Sequence, residues 1–257
     1  VWRLVLLMAN EPKETSQVEV SIVLPAHNEA DILENAVETI SQTLKQYGST
    51  YEIIIAEDGS TDGTDILAAK LAQNVPFVRH IHGEKRFGRG KALKNTFKKS
   101  SGKVLVYMDV DLATDIKHLG PLIDSIAKEG YDLATGSRML SESKVKRSGT
   151  RGMASKAYNF MVRANLGSKV KDHQCGFKAF KREPLMQLLD EVEANHWFWD
   201  TEIIVRAERK GFKVKEIPVE WNSGKDTKVN LLKDSMDMGW QIIVLWWHLK
   251  TNHKNKN

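Results

Sequence analysis

One cysteine, Cys175, is all the sulfhydryl that 257 residues carry. No disulfide can close within the chain and no cysteine-rich metal centre is available; a reducing, cytoplasmic setting fits. Long apolar runs are missing too. A membrane-spanning helix needs about 20 mostly apolar residues, and the apolar N-terminal octet "VWRLVLLM" falls well short. It also lacks the longer core and small-residue cleavage site of a signal peptide. Neither sign of charge dominates: 38 Lys and Arg against 33 Asp and Glu leave +5, too little to argue for nucleic acid. That margin suits an anionic substrate or an anionic membrane surface equally well. No internal repeat or low-complexity segment interrupts the chain.

What is present is a globular composition, 41% hydrophobic and 28% charged, in a chain long enough for one large α/β domain or two small ones. Val18–Pro25, "VEVSIVLP", predicts a buried strand stopped by Pro25. Ile32, Leu33, Ala36, Val37, Ile40 and Leu44 have helical spacing, and Gly48 ends that helix. "YEIIIA", "VPFVRHI" and "KVLVYMD" predict three more strands. A turn and helix, with Asp62 or Thr64 as cap, and a basic Gly-containing loop entering a helix near Lys91 separate them. Later come a helix over roughly 116–129, a strand in "YDLATGSRM", two further helices and a half-exposed last strand, "FKVKEIPVEW". Alternating strands and helices predict a mainly parallel, doubly wound sheet, whose ligands bind beyond the carboxyl ends of the strands. The loops "PAHNEAD", "EDGSTDGT" and "DVDLATD" converge there.

Each motif has a plain explanation when taken alone. Asp109 and Asp111 point the same way from a strand end. They form a hard-oxygen site for Mg²⁺ or Mn²⁺, or else a solvated turn, with Asp115 capping the next helix. "GEKRFGRGKAL" puts Arg86, Arg89 and Lys91 beside a helix start and two glycines that allow close backbone approach. That suits a phosphate, or is merely a basic loop. Asp58 meets a base or ribose, or sits in a turn. The set Arg138, Lys144, Lys146, Arg147 and Arg151 lies in a Gly- and Ser-containing stretch that suits an anionic partner better than a helix face would. Trp197, Phe198 and Trp199 stack on a sugar or belong to the core, and His173 and His196 are structural or donate hydrogen bonds.

In sequence order, the segments "VSIVLPAHNEA", "EIIIAEDGSTDGT", "FGRGKAL", "VLVYMDVDLATD", "DLATGSRM", "KDHQCGFKAFKRE", "WFWDTEIIVRAERKGFKVKEIPVEW" and "VNLLKDSMDM" resemble family 2 glycosyltransferases of the GT-A fold. The resemblance is nearest the polyprenyl-phosphate glycosyl synthases, the dolichyl-phosphate glucosyltransferase branch in particular. It implies an inverting, metal-dependent transfer of a hexose from a nucleotide-sugar, with UDP-glucose expected, to a polyprenyl or dolichyl phosphate. GDP-mannose or UDP-GlcNAc as donor, a saccharide hydroxyl as acceptor, and an inert nucleotide-sugar-binding module are the alternatives.

Residue by residue, the resemblance implies that Pro25, Ala26, His27 and Glu29 hold the nucleotide, with Asp58 on the base and Glu57 beside it. Arg89 stands where the family's Gly-rich loop carries a lysine. Asp109, Val110 and Asp111 match the metal-binding D-x-D, although Ala113 occupies a position where many relatives have Gln. Arg138, Arg151, Ser155 and Lys228 match segments meeting the acceptor phosphate and diphosphate, and Asp200 and Glu202 match an acidic pair close to sugar and acceptor. Cys175, Gly176 and Phe177 look structural.

The expected organisation is an apolar segment and linker over 1–17, a transferase domain over 18–228 and a C-terminal segment over 229–257. The domain divides into a nucleotide-sugar and metal half, 18–115, and an acceptor half, 116–228. Trp240, Trp246 and Trp247 among aliphatics, with Lys250 and Lys254 beyond, predict an amphipathic helix on the membrane surface rather than one simply docked on the domain. The enzyme would then be peripheral on the cytoplasmic face.

Overall fold

The computed structural model describes residues 18–146, 149–222 and 231–254. The apolar segment over 1–17 lies outside them. β1 (Val20–Ala26) sends Ile22 and Leu24 to one face and Val23 to the other, all fully buried, as a strand between two helical layers must. It runs one residue past Pro25. That proline is tolerated because pairing with β4 (Val104–Met108) stops at Val23, so its missing N–H breaks no ladder there.

α1 (Ala30–Tyr47) buries Leu33, Ala36, Val37, Ile40 and Leu44 and ends at Gly48, whose φ of 83° takes the left-handed cap. β2 (Tyr51–Asp58), α2 (Thr64–Asn74), β3 (Val78–Gly83) and α3 (Arg89–Phe97) follow, then β4. The cap of α2 is Gly63, not the expected Asp62 or Thr64. Asp62 acts from one residue further out, its Oδ1 accepting the Thr64 N–H at 3.0 Å and its Oδ2 the Ala30 N–H at 3.2 Å. Asp115 does cap, accepting the Lys117 N–H in front of a short 3₁₀ turn (Ile116–His118) that leads into α4 (Leu119–Ala127).

β5 (Leu133–Ser137), β6 (Lys144–Lys146), α5 (Gly149–Leu166), β7 (Phe177–Lys181), α6 (Arg182–Leu189), α7 (Trp199–Arg209), β8 (Val214–Pro218), β9 (Glu220–Asn222) and α8 (Leu231–Lys254) complete the described chain. The main sheet has the order β3-β2-β1-β4-β7-β5-β8. β7 runs antiparallel to both its neighbours, and the other pairings in this sheet are parallel. The expected last strand divides at Pro218: β8 closes the main sheet, and β9 pairs with β6 in a separate ribbon.

Two apolar layers flank the sheet, one built with α1 and α4, the other with α3, α6 and α7. A third cluster joins Val162 and Leu166 of α5, Phe198 and Val205, and Ile242 and Leu245 of α8. The C-terminal helix is therefore docked along one face, while Trp240, Ile243 and Trp247 stand exposed on the other. No described helix is long and apolar enough to cross a membrane.

Candidate active site

From β1 the chain builds outward to β2 and β3, then returns to place β4 on the other side of β1. Ligand crevices open at such a reversal, beyond the carboxyl ends of the strands. Here those ends supply His27 to Glu29 after β1 and Asp109 to Asp111 after β4.

The β1 and β2 loops are laced together. His27 Nδ1 lies 2.9 Å from the Asp58 carbonyl oxygen. Asn28 adopts φ 57°, donates its N–H to Ser60 Oγ at 3.1 Å and accepts the Thr61 N–H at 2.8 Å. The Glu29 N–H reaches Thr64 Oγ1 at 2.8 Å. Pro25 and Ala26 lie within β1 itself.

Asp58 is buried, and its two carboxylate oxygens accept the N–H groups of Phe87 and Gly88, each at 2.8 Å. Its visible task is to hold the Gly-rich loop. The glycines of that loop are used in a way the sequence reading did not anticipate. A Cβ on Gly88 would lie 2.5 Å from the Asn195 carbonyl oxygen, and one on Gly90 2.6 Å from Trp199 Cβ. The close backbone approach is to the aromatic turn before α7.

Asp109 and Asp111 sit where expected, with Val110 buried between them. Leu112 takes φ 49° to make the turn, a conformation costing roughly 1–2 kcal/mol for an L-residue. Asp111 Oδ1 accepts the Ala113 N–H at 3.0 Å. Burial raises the Asp111 pKa, and the charges of Asp109 and Glu29 add to that shift; the Ala113 N–H and Arg89 oppose it. Arg89 meets Asp109 at 2.8 Å and Asp200 at 3.5 Å, and its guanidinium lies over the rings of Tyr107 and Trp197. Burial works against its charge, and the two carboxylates more than restore it.

These residues fit a divalent cation. Asp109 and Asp111 offer only hard oxygens from one strand end, and the like charges of Asp109 and Glu29 act on Asp111, with Arg89 opposing them. Gly176 leaves the Asp109 carboxylate its space, for a Cβ there would collide with it. Carboxylate oxygens at such a site suit Mg²⁺ or Mn²⁺ completed by phosphate.

Other expected residues are differently employed. Arg138 is not a free cation: Nε and Nη2 grip Asp172 at 2.7 and 2.9 Å, its own N–H adds a third bond at 2.9 Å, and Trp221 covers its face. Burial would push the Asp172 carboxyl up, but Arg138 overrides it and holds it well below the usual range. The pair Asp200 and Glu202 is split. Glu202 binds the N–H groups of Glu193 and Ala194 and the side chain of Arg206. Asp200, buried, faces Tyr107 Oη, Arg89 and Lys178 Nζ, the last at 2.8 Å. Trp199 and Phe198 are core, whereas Trp197 lies half-buried against Arg89. Ser155 is half-buried on α5. His173 is structural, bound to Asn159 and Ser168 and pushed down to about 3 by burial. The side chain of Arg151, and Arg147 and Lys228 entirely, lie outside the described residues.

Lys178 was missed. It is fully buried in β7 and bonds the carbonyls of His173 and Cys175 as well as Asp200. Burial drives the Asp200 carboxyl up, opposed by the charge of Arg89, and drives the Lys178 ammonium down, opposed chiefly by Cys175 and Asp172. Its one sequence signal is a lysine between Phe177 and Phe180, where a buried strand wants none.

Known proteins resemble this chain in sequence and fold. The sequence model of "Glycosyl transferase family 2" matches residues 21–189. Glycosyltransferase AglD of Haloferax volcanii is 49% identical over 234 residues, 90% of this chain but only 38% of that protein. The dolichyl-phosphate beta-glucosyltransferase of Saccharomyces cerevisiae is 31% identical over 255 residues, covering 92% of this chain and 76% of that one. Among solved structures, glucosyl-3-phosphoglycerate synthase of Mycobacterium tuberculosis, in complex with Mn²⁺, UDP and phosphoglyceric acid, superposes with a TM-score of 0.67 at 22% identity, covering 89% of this chain and 77% of that one. The sheet reversal, the paired aspartates behind β4 and a sequence match running from β1 through α6 agree: the chain has the GT-A fold and belongs to glycosyltransferase family 2.

Proposed function

We propose that the chain transfers a hexose, from UDP-glucose in the first instance, to a polyprenyl or dolichyl phosphate, with inversion at the anomeric carbon. The observation that carries this reading is the pairing of Asp109 and Asp111 at the strand reversal, with Glu29 adding like charge to Asp111 and Arg89 bonded to Asp109. Asp109 and Asp111 are the residues that would hold Mg²⁺ or Mn²⁺, which when bound supplies positive charge to the donor diphosphate. Arg89, fixed between two carboxylates and two aromatic rings, adds a preorganised cation beside the same leaving group. Its Nε–H is buried without a hydrogen-bond partner among the described residues, a donor left for an anion.

The acceptor choice rests on Asp200. A hydroxyl acceptor needs a general base, and the candidate base is buried against Tyr107, Arg89 and Lys178. A phosphate monoester, with a second pKa of about 6, is already largely dianionic near neutral pH and attacks unaided. Asp200 then positions Arg89 and takes no proton. Arg138, neutralised by Asp172, shapes the acceptor side, while Arg151, Ser155 and Lys228 remain the cations and hydroxyl proposed for the acceptor phosphate. The yeast relative's name, with its lipid phosphate and glucose, supports the same choice. Exposed Trp240, Ile243 and Trp247 on α8, with Met153 and Phe160 on α5, support seating on a membrane surface, its cytoplasmic face in this proposal. The domain reading follows: 18–115 serves the donor, 116–228 the acceptor and 229–257 the membrane.

The test is product formation from labelled UDP-glucose with dolichyl phosphate and Mg²⁺ or Mn²⁺ in detergent, run beside GDP-mannose and an Asp111→Ala protein. A lipid-extractable product that needs metal, lipid phosphate and Asp111 is expected. Intact nucleotide-sugar binding with no lipid product from either donor would overturn the acceptor assignment.

A further inference from the structure

On the other edge of the sheet lies a softer set of donors. Ala56 and Glu57 of β2 pair with Ile81 and His82 of β3, so Glu57 stands directly opposite His82. His80 lies two residues before His82, on the same face of β3. One donor atom from each of Glu57, His80 and His82 lies within 4.8 Å of the others. Three features suggest a site and not an accident of packing. Glu57 is buried and oriented: the Ser60 N–H holds its Oε1, which turns Oε2 towards His82 Nδ1 at 2.6 Å. His80 Nε2 is buried with no hydrogen-bond partner among the described residues, an arrangement that costs free energy unless something else fills the role. The two imidazoles also line a hollow of about 580 Å³ beneath α2, with Asp65 and Gln73 on its wall.

We propose that Glu57, His80 and His82 bind a divalent transition ion of the zinc class, at a site separate from Asp109 and Asp111. Two imidazole nitrogens and one carboxylate oxygen form a donor set that Zn²⁺ takes, with water or a further carboxylate in the fourth position; Asp65, on the hollow wall, is the protein group nearest that role. Imidazole ligands favour Zn²⁺, Co²⁺ and Ni²⁺, whereas the all-oxygen pair favours Mg²⁺ and Mn²⁺. The Ser60 N–H on Glu57 is the outer hydrogen bond that such ligands use to fix their orientation. The hydrogen bond between His82 Nδ1 and Glu57 Oε2, 2.6 Å long, is the contact that an ion held by all three side chains would replace. β3 is an edge strand, and it leads through Gly83 into the loop whose Phe87 and Gly88 amides Asp58 holds. An ion pinning β3 to β2 would stiffen that wall of the donor crevice.

The test uses the full chain, stripped with chelator and titrated with Co²⁺ in excess Mg²⁺, so that the oxygen site is filled by an ion without visible absorption. One equivalent of Co²⁺ should give d–d bands characteristic of nitrogen ligation, displaced by Zn²⁺ and not by more Mg²⁺. His82→Gln and His80→Gln should each weaken the binding by at least the roughly 10–100-fold that loss of even an outer-shell partner costs. Asp111→Asn should leave the bands unchanged. Zn²⁺ should also shift the ring signals of His80 and His82 among the eight histidines in an NMR titration of the unmodified protein. Absence of the bands, their survival in His82→Gln, or their loss in Asp111→Asn would each overturn the proposal. His82 is half exposed on an edge strand, so its variant should fold, and the unmodified protein supplies the NMR readout regardless. None of these readouts uses transferase activity.

Discussion

Two groups of carboxylates in this protein have opposite fates. Asp172 is completely buried, yet Arg138 matches it atom for atom and holds its pKa well below the ordinary value. Asp111 lies nearer solvent, but its pKa is raised by partial burial and by the like charges of Asp109 and Glu29. The first charge is satisfied by its partner in the fold; the second sits among like charges, with Arg89 opposing them. Depth therefore does not mark the perturbed carboxylate here. The balance of neighbouring charge does.

Removing one member of the satisfied pair should have the largest effect on stability. Asp172→Ala strands Arg138 beneath Trp221. We expect a loss of about 3–5 kcal/mol, the range for breaking a buried pair, read as a lower midpoint in urea unfolding. The sign with pH follows from the depressed pKa. The contribution of Asp172 is complete above its unfolded value of about 3.9 and disappears as pH falls through its lower folded value.

Asp111→Asn should do the reverse: little harm to the fold and a large loss of transfer. A fall in kcat of at least about 100-fold is expected, as when one preorganised electrostatic group is removed. A variant with unchanged kcat would erase the contrast between the two groups.

Gly176→Ala joins the two. A methyl group there collides with the Asp109 carboxylate. Overpacking costs roughly 1–3 kcal/mol, and weaker metal dependence of transfer should accompany it; loss of stability alone would show that Asp109 can move without harm to its ligand.

The smallest effect is the most diagnostic. In metal-free protein, Asp111→Asn should raise the melting temperature slightly at neutral pH, because it removes a carboxylate held among like charges. The raised pKa means that Asp111 favours the fold when protonated and loses that advantage as pH rises through its folded value, so the gain should vanish in acid. Saturating Mg²⁺ should stabilise the unmodified protein and not the variant.

Much of the first half of the fold was legible because its elements are local and repetitive. Apolar strands with β-branched residues, amphipathic helices and acidic loops at one edge could be read directly, and so could Asp109 and Asp111. What stayed hidden depends on distant pairing. Arg138 and Asp172 are 34 residues apart, and no pattern joins them, so Arg138 read as a free cation. Gly88 and Gly90 read as making room for phosphate because the turn they accommodate, around Asn195 and Trp199, comes more than 100 residues later. Lys178 and Asp200 meet only because β7 is reversed between β4 and β5. "GFKAFK" carries a strand's alternation, but nothing in it states a direction.

That reversed strand also sets a timetable for synthesis. β1 to β4 can pair as they leave the ribosome, yet the open side of β4 has no neighbour until residues 177–181 appear. Through about 70 intervening residues the growing chain carries a strand edge with unpaired backbone groups, a template for association with other chains. The strand that finally shields it is the one that brings Gly176 against Asp109 and Lys178 against Asp200. Closing the sheet and assembling this cluster are thus one event, and a chain that can still aggregate through this edge is one in which the proposed site is not yet formed.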